Sequence, residues 1–241
     1  MSDYLYKSLN RDIGKAIHQY GMISDGDRIL IGISGGKDSL TLMWFLKERL
    51  SRIPISYDLF GVYVDPGFEG GCDDSLASWV KSAGLHMRVE HTNNGVLANS
   101  TFNRENPCFL CSRLRRKKIF EIAEELNCNK IALGHHKDDI IETFFINVCY
   151  SGSISTMCPI QPMFEGKFSI IRPLAFVDEE KIIRFAKTRN FPEFINPCPY
   201  SKVSKRKEIK ELLNNLYRRN KKIKGNIFKS LSHVNLEYLL S

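Results

Sequence analysis

No apolar run in the 241 residues approaches the length that spans a bilayer, so no membrane-spanning segment is predicted. The N-terminus, MSDYLYKSLN, has neither an apolar signal core nor an Arg-rich amphipathic presequence, and the expectation is a cytoplasmic protein. No internal repeat is visible, and the chain is short for two large independent domains. Cysteines do not form an even framework: there are seven, which in a cytosolic chain read as thiols or metal ligands rather than disulfides. Acidic residues are in deficit, with 27 Asp and Glu against 35 Lys and Arg, giving a formal net charge of +8. What remains, 43% hydrophobic and 26% charged residues, is ordinary for one globular domain with a modest appendage.

The basic excess is concentrated. Lys202 to Lys224 holds ten Lys and Arg against Glu208 and Glu211, an excess equal to that of the whole chain. Such a segment suits a polyanion such as RNA, because neutralising phosphates releases counterions. A solvated helix face would look the same at this level.

Four β-branched apolar runs are strand-length and end in polar or glycine-containing turns: Arg28-ILIGIS, Tyr57-DLFGVYVD, Met87-RVEHT and Lys130-IALGH. Segments of helical spacing lie between them, carried by Leu40, Met43, Leu46 and Leu50, by Leu76, Trp79, Val80 and Ala83, and by Ile119, Ile122, Ala123 and Leu126. This alternation predicts an α/β fold, a Rossmann-like parallel sheet flanked by helices, with ligands at the carboxyl ends of the strands. A helix ending at Gly21 precedes the sheet, and His135 to Tyr150 reads as another. Ser151 to Arg172 shows no period and reads as a long loop, and Asp178 is a candidate N-cap for a later helix.

The first strand runs into Ile31-Gly32-Ile33-Ser34-Gly35-Gly36-Lys37-Asp38-Ser39-Leu40. A Walker loop needs glycine six positions before its lysine and Ser or Thr directly after it. Here those places hold Ile31 and Asp38, so that reading fails. Small residues at 34–36 let backbone N–H groups close around phosphate oxygens ahead of a helix N-terminus, and Lys37 adds a point charge. A carboxylate beside it repels phosphate unless it holds a cation, which gives Asp38 the role of placing Mg²⁺.

SGGKDS after a hydrophobic strand resembles the PP-loop of the N-type ATP pyrophosphatases, which cleave ATP between its α and β phosphates and adenylate a substrate oxygen. The resemblance implies the adenine nucleotide alpha hydrolase type of sheet. It implies ATP contacts from Gly32, Ile33, Ser34, Gly35, Gly36, Lys37, Asp38 and Ser39, with Val64 and Asp65 near the adenine and ribose. Gly134-His135-His136-Lys137-Asp138-Asp139 resembles a second signature of the same superfamily. Asp138 and Asp139 would there place magnesium or the reacting group, and Gly134 and His135 would line the pocket. As first-turn carboxylates, the two aspartates would also suit a helix dipole. The corresponding division is an N-terminal helix over 1–25, a PP-loop domain over 26–175 and a basic helical region over 176–241.

Cys108-Phe109-Leu110-Cys111 is a CxxC, and Cys198 stands far downstream. A lone CxxC is open between a redox pair, half a zinc site and an iron–sulfur pair. The context is poor for thioredoxin-like use, and no second close pair completes a four-cysteine zinc site. Three thiolates around a metal centre leave one position open, as a chemically active site requires. Cys128 and Cys149 are expected to be buried small hydrophobes, an expectation extended less firmly to Cys72 and Cys158.

Cys108-FLCSRLRRKK, SGGKDS, LGHHKDD, Ile171-Arg172-Pro173-Leu174 and Pro197-Cys198, in that order, resemble the tRNA 2-thiocytidine synthetase family over nearly the whole chain, from about Leu9 to Leu231. The resemblance implies a cytoplasmic enzyme using ATP and Mg²⁺, with a [4Fe-4S] cluster on Cys108, Cys111 and Cys198. Such an enzyme replaces the C2 oxygen of a cytidine in the tRNA anticodon loop with sulfur. Lys37, Asp38, Asp138 and Arg115 would be catalytic. Partners would be tRNA and a cysteine desulfurase or other sulfur donor, and a homodimer is the candidate assembly. Family members carry a second CxxC at the late position, where this chain has Ser201. Two other readings share the loop: a ligase with zinc on its cysteines, and a non-catalytic RNA- or nucleotide-binding protein.

Overall fold

The computed structural model describes residues 2–69, 73–194, 198 and 205–238; Cys72, Ser201 and Lys202 fall outside them. In chain order the elements begin α1 (Ser2–Gln19), β1 (Asp27–Gly32), α2 (Lys37–Leu50), β2 (Tyr57–Asp65), α3 (Asp73–Ser82) and β3 (Met87–His91). Then come α4 (Asn94–Ala98), α5 (Pro107–Glu125), β4 (Lys130–Ala132), α6 (Lys137–Ser151), β5 (Ile160–Met163) and β6 (Phe168–Ile171). The chain continues with α7 (Glu179–Thr188), α8 (Lys205–Arg219), α9 (Lys222–Ser230) and a short 3₁₀ turn at Leu236–Tyr238.

The chain divides into two compact units, Met1–His136 with Cys158–Ser201, and Lys137–Met157 with Lys202–Ser241. This grouping differs from a linear division at 25 and 175. Helix α1 and the α7 region pack into the sheet unit, and α6 joins the C-terminal helices.

The first unit holds a six-stranded sheet in the order β3-β2-β1-β4-β6-β5, parallel throughout except for β5. Alternation along β1 explains both faces: Ile29 and Ile31 point into one core with α1, α2, α3 and α7, and Leu30 points into another with Ile122 and Ala123 of α5. The stretch expected as a loop, Ser151 to Arg172, contains the β5–β6 hairpin, and β6 continues the parallel sheet beside β4. Its strands are four residues each, and Pro162 is admissible because β5 is the edge.

Helix α7 is held against α2 by aromatic packing: Phe45 lies 5.0 Å from Phe185 and stacks on Tyr6 at 5.8 Å, ring centroid to centroid. Phe45 is fully buried. Phe45→Ala is therefore expected to destabilise the protein by about 3–5 kcal/mol in urea unfolding, through lost transfer energy and the cavity left behind. A loss no larger than that of a surface substitution would show that α7 is not anchored through this ring.

In the second unit α6 packs on α8 and α9 around Ile141, Ile209 and Leu213, with Phe145 and Tyr217 against them. Val148, apolar though it is, is exposed near the end of α6, as is Cys149. The α6 stripe is covered around Ile141, and that cover does not reach these later positions. No described helix is long and apolar enough to cross a membrane.

Candidate functional site

The carboxyl end of β1 opens into the Ser34–Ser39 loop at the point where the strand order reverses, with β2 on one side and β4 on the other. The Ile33 N–H donates to the Val62 carbonyl at 2.8 Å, which ties the loop's start to β2. Ser39 Oγ accepts from the Ser34 N–H at 3.1 Å and donates to the Gly36 carbonyl at 2.9 Å, and Ser34 Oγ accepts from the Gly36 N–H at 3.3 Å. These bonds curl the loop onto itself. Gly35 has φ +78°, and a Cβ there would stand 3.0 Å from Phe194 Cβ, so conformation and space both require glycine. Gly36 caps α2 without a side-chain hydrogen bond, leaving the first-turn N–H groups available to an anion.

Lys37 opens α2. Its Nζ lies 3.3 Å from Asp38 Oδ2 and 3.2 Å from Glu179 Oε1. Burial pulls the ammonium's pKa down, but Asp38 and Glu179 outweigh it and the net shift is upward, so Lys37 is a fixed cation at neutral pH. Asp38 also faces His136, with Oδ1 3.7 Å from Nε2. Glu179 was not among the residues read from the sequence. Beside the Asp178 N-cap it looks like a first-turn acid complementing the helix dipole, and only the packing of α7 on α2 brings it to Lys37. Asp178 does occupy the N-cap, without a side-chain capping bond.

At the end of β4, a Cβ on Gly134 would come within 3.0 Å of the Asp38 carbonyl carbon and the Ser39 nitrogen; this glycine lets β4 run against the start of α2. His135 Nδ1 accepts from Arg172 Nε at 3.3 Å, and Arg172 also donates to the Cys158 carbonyl. Arg172, only 5% exposed, has no carboxylate partner among the described residues, and burial lowers its pKa to about 10. In the sequence nothing distinguishes it from its neighbours in Ile171-Arg172-Pro173-Leu174; burial does. At the end of β2, Val64 is buried in the α5-side core, and Asp65 accepts from the Gly67 N–H at 3.0 Å and stands 3.1 Å from His91 Nδ1.

Cys108 and Cys111 occupy the first turns of α5, which Asn106 caps by accepting from the Phe109 N–H at 3.2 Å, with Pro107 as the first helical residue. Cys108, Cys111 and Arg115 fall at i, i+3 and i+7, one face of the helix. Cys111 feels the charges of Arg115, Cys198 and Cys108; burial raises its pKa most, Arg115 opposes that, and the two thiols add to it. Cys198 thus lies within electrostatic reach of Cys111. Among the described residues no group of three or more His, Cys, Asp or Glu side chains stands close enough together to hold a metal ion as it is. The donor set itself suits a thiophilic centre: three thiols with a guanidinium beside them, two of the thiols at a helix N-terminus. Of the remaining described cysteines, only Cys128 is buried, its thiol pushed up to about 11 mainly by burial. Cys149 and Cys158 are exposed, against expectation, because neither lies under a packed face.

In the second unit Asp138 and Asp139 lie in the first turn of α6. Lys224 Nζ is 2.6 Å from Asp138 Oδ1, and Arg206 Nη1 is 2.8 Å from Asp139 Oδ1 and 3.3 Å from Glu142 Oε2. Two cations of the Lys202–Lys224 run therefore hold α8 and α9 to α6.

Comparison with known proteins agrees with this arrangement. The model of the PP-loop domain family matches residues 5–216. A protein from Geobacter sulfurreducens named tRNA-cytidine(32) 2-sulfurtransferase is 35% identical over 238 residues, 98% of this chain and 93% of the relative. One of the same name from Geotalea daltonii is 37% identical over 243 residues, covering 100% and 96%. Among solved structures, the U34-tRNA thiolase NcsA from Methanococcus maripaludis with its [4Fe-4S] cluster superposes with a TM-score of 0.80 at 25% identity, covering 100% of this chain and 81% of that one. The chain belongs to the PP-loop family, in the branch whose members bear the name tRNA-cytidine(32) 2-sulfurtransferase.

Proposed function

We propose that this chain is an ATP-dependent tRNA sulfurtransferase that replaces the C2 oxygen of a tRNA cytidine, position 32 by likeness to the named relatives, with sulfur. What supports the reading is that Cys111 feels the charges of both Arg115 and Cys198, in the same unit as the Ser34–Ser39 loop. A plain adenylating ligase has no use for that thiol set.

Two bond changes complete the reaction. The cytidine carbonyl oxygen attacks the α-phosphorus of ATP and pyrophosphate leaves; a sulfur nucleophile then adds to C2 and AMP departs with the oxygen. The loop N–H groups and Lys37 hold the phosphates and stabilise the charge that develops as the α–β bond breaks. Asp38 would hold Mg²⁺, which would supply charge neutralisation for the pyrophosphate. Arg172, buried and without a carboxylate, keeps a cation at the β4 end with His135 beside it. Cys108, Cys111 and Cys198 would hold a [4Fe-4S] cluster, which would supply a place for sulfide to bind. Arg115, on the cysteine face, orients the anionic partner there. Asp138 and Asp139 would place the metal or reacting group only after giving up Lys224 and Arg206. Gly32 to Ser39, Val64, Asp65, Gly134 and His135 make up the nucleotide pocket.

A cysteine desulfurase or another sulfur donor feeds the reaction, the site of action is the cytoplasm where tRNA is modified, and a homodimer is the candidate assembly. The linear division 1–25, 26–175 and 176–241 stays a proposal for how sequence function is parcelled.

Glu179 fixes the Lys37 ammonium, so Glu179→Ala is expected to lower kcat/KM for ATP roughly 10- to 100-fold, the worth of a charge-assisted hydrogen bond. Pyrophosphate release checks this, and an unchanged value would leave Glu179 a helix-dipole residue only. The function itself is tested by nucleoside mass spectrometry of tRNA from cells with and without the gene. Loss of 2-thiocytidine is expected, and an unchanged profile would overturn the substrate.

A further inference from the structure

Phe102 is 92% exposed and Phe109 61% exposed, on the segment that leads into the CxxC and within it. Leaving an aromatic ring in water forfeits its burial energy, and a loop free to move would fold it away. This loop is not free. Asn103 Nδ2 donates to the Ala98 carbonyl at 2.6 Å and the Glu105 carbonyl at 3.0 Å, its Oδ1 accepts from the Glu105 N–H at 2.9 Å, and Asn99 Nδ2 donates to the Gly95 carbonyl at 2.7 Å. Phe102 is thus presented by a hydrogen-bonded frame.

Phe109, Arg113 and Arg116 fall at i, i+4 and i+7 on α5, roughly 130° around the helix from the face of Cys108, Cys111 and Arg115. The Arg113 guanidinium lies 5.7 Å from the Phe109 ring centroid and 3.0 Å from Glu105. Among the described residues Arg104 and Arg116, both exposed, have no carboxylate partner. Exposed rings on a segment that also carries two guanidinium groups without a carboxylate ask for a ligand that is flat and anionic at once. An apolar protein knob would not use the cations, and a duplex keeps its base faces stacked inside. An unpaired RNA loop offers both base faces and phosphates.

We propose that Phe102 and Phe109 form a stacking platform for unpaired bases of the substrate RNA loop, with Arg104 and Arg116 on its phosphates, so that the loop is held next to the cysteine face. This rests on the tRNA reading above.

The test uses the full chain, reconstituted anaerobically, and full-length tRNA carrying 2-aminopurine in its anticodon loop, titrated at several salt concentrations. The unaltered chain is expected to change the 2-aminopurine emission on binding. Phe102→Ala and Phe102→Leu should each bind roughly 5- to 150-fold more weakly, with the emission change diminished and the salt slope kept; Phe102→Trp should restore both. Arg116→Ala should instead lower the salt slope by about one. Full affinity in Phe102→Leu, or an emission change that survives in Phe102→Ala, would overturn the platform while leaving the tRNA reading standing. Failure of the unaltered chain to bind tRNA would overturn both.

Discussion

Lys37→Ala is expected to reduce ATP-dependent thiolation and pyrophosphate release about 10²- to 10³-fold, the usual loss when one preorganised charge donor is removed from a developing anion. The side chain is only partly exposed and is held by two carboxylates, so its ammonium is in place before nucleotide arrives and needs no reorganisation as charge builds. Methionine at 37 would keep the stem and lose the charge, and should be as inactive as alanine. Neither change removes core packing, since Leu40, Met43 and Phe45 carry the buried face of α2. Iron–sulfur absorption should therefore survive in both variants. Asp38→Ala is expected to lose turnover in the same way through loss of metal placement, with a partial return at high Mg²⁺ that Lys37→Ala should not show. Normal pyrophosphate release from Lys37→Ala would remove the loop from the mechanism.

The parallel sheet was legible because β1 to β4 are runs of β-branched residues closed by glycine or polar turns, and the helices between them keep a clean apolar stripe. Length does not decide this, since β4 has only three residues: β5 and β6 were hidden because Pro162 and Gly166 interrupt any alternation. Helix α6 was legible as a helix, but not its company. It follows β4 directly, as a sheet-covering helix would, and only the pairing of Ile141 with Ile209 and Leu213 reveals that it packs with the C-terminal helices.

The site divides along the same line. Lys37, Asp38 and the small residues of the loop are contiguous, and their chemistry depends on a local strand-to-helix turn. Glu179 and Arg172 depend on tertiary packing; nothing adjacent to Glu179 in sequence announces Lys37, and Arg172 is distinguished only by being buried without an acid. The basic run misled in part for the converse reason. Arg206 and Lys224 are indistinguishable in composition from RNA ligands, yet they are engaged by Asp139 and Asp138.

Cys198→Ala is expected to strip most of the iron and acid-labile sulfide from anaerobically reconstituted protein, with loss of its broad visible absorption. Cys149→Ala, at an exposed position in the other unit, should change neither. The reasoning is one of ligand count. Cys108 and Cys111 sit one turn apart on a single helix and can supply two thiolates, which is too few to retain a four-iron cluster against solvent. The third must come from elsewhere in the fold, and Cys198 is the thiol whose charge reaches Cys111 together with that of Cys108. Three residues after Cys198 the chain has Ser201, so no thiolate stands there to replace a lost Cys198. Pyrophosphate release should persist in Cys198→Ala at a rate closer to the unaltered protein's than thiolation does, because oxygen activation precedes sulfur entry. A full cluster retained in Cys198→Ala would break the ligand assignment. Zinc without acid-labile sulfide in the unaltered protein would leave the three thiols a metal site but take sulfur transfer away from it.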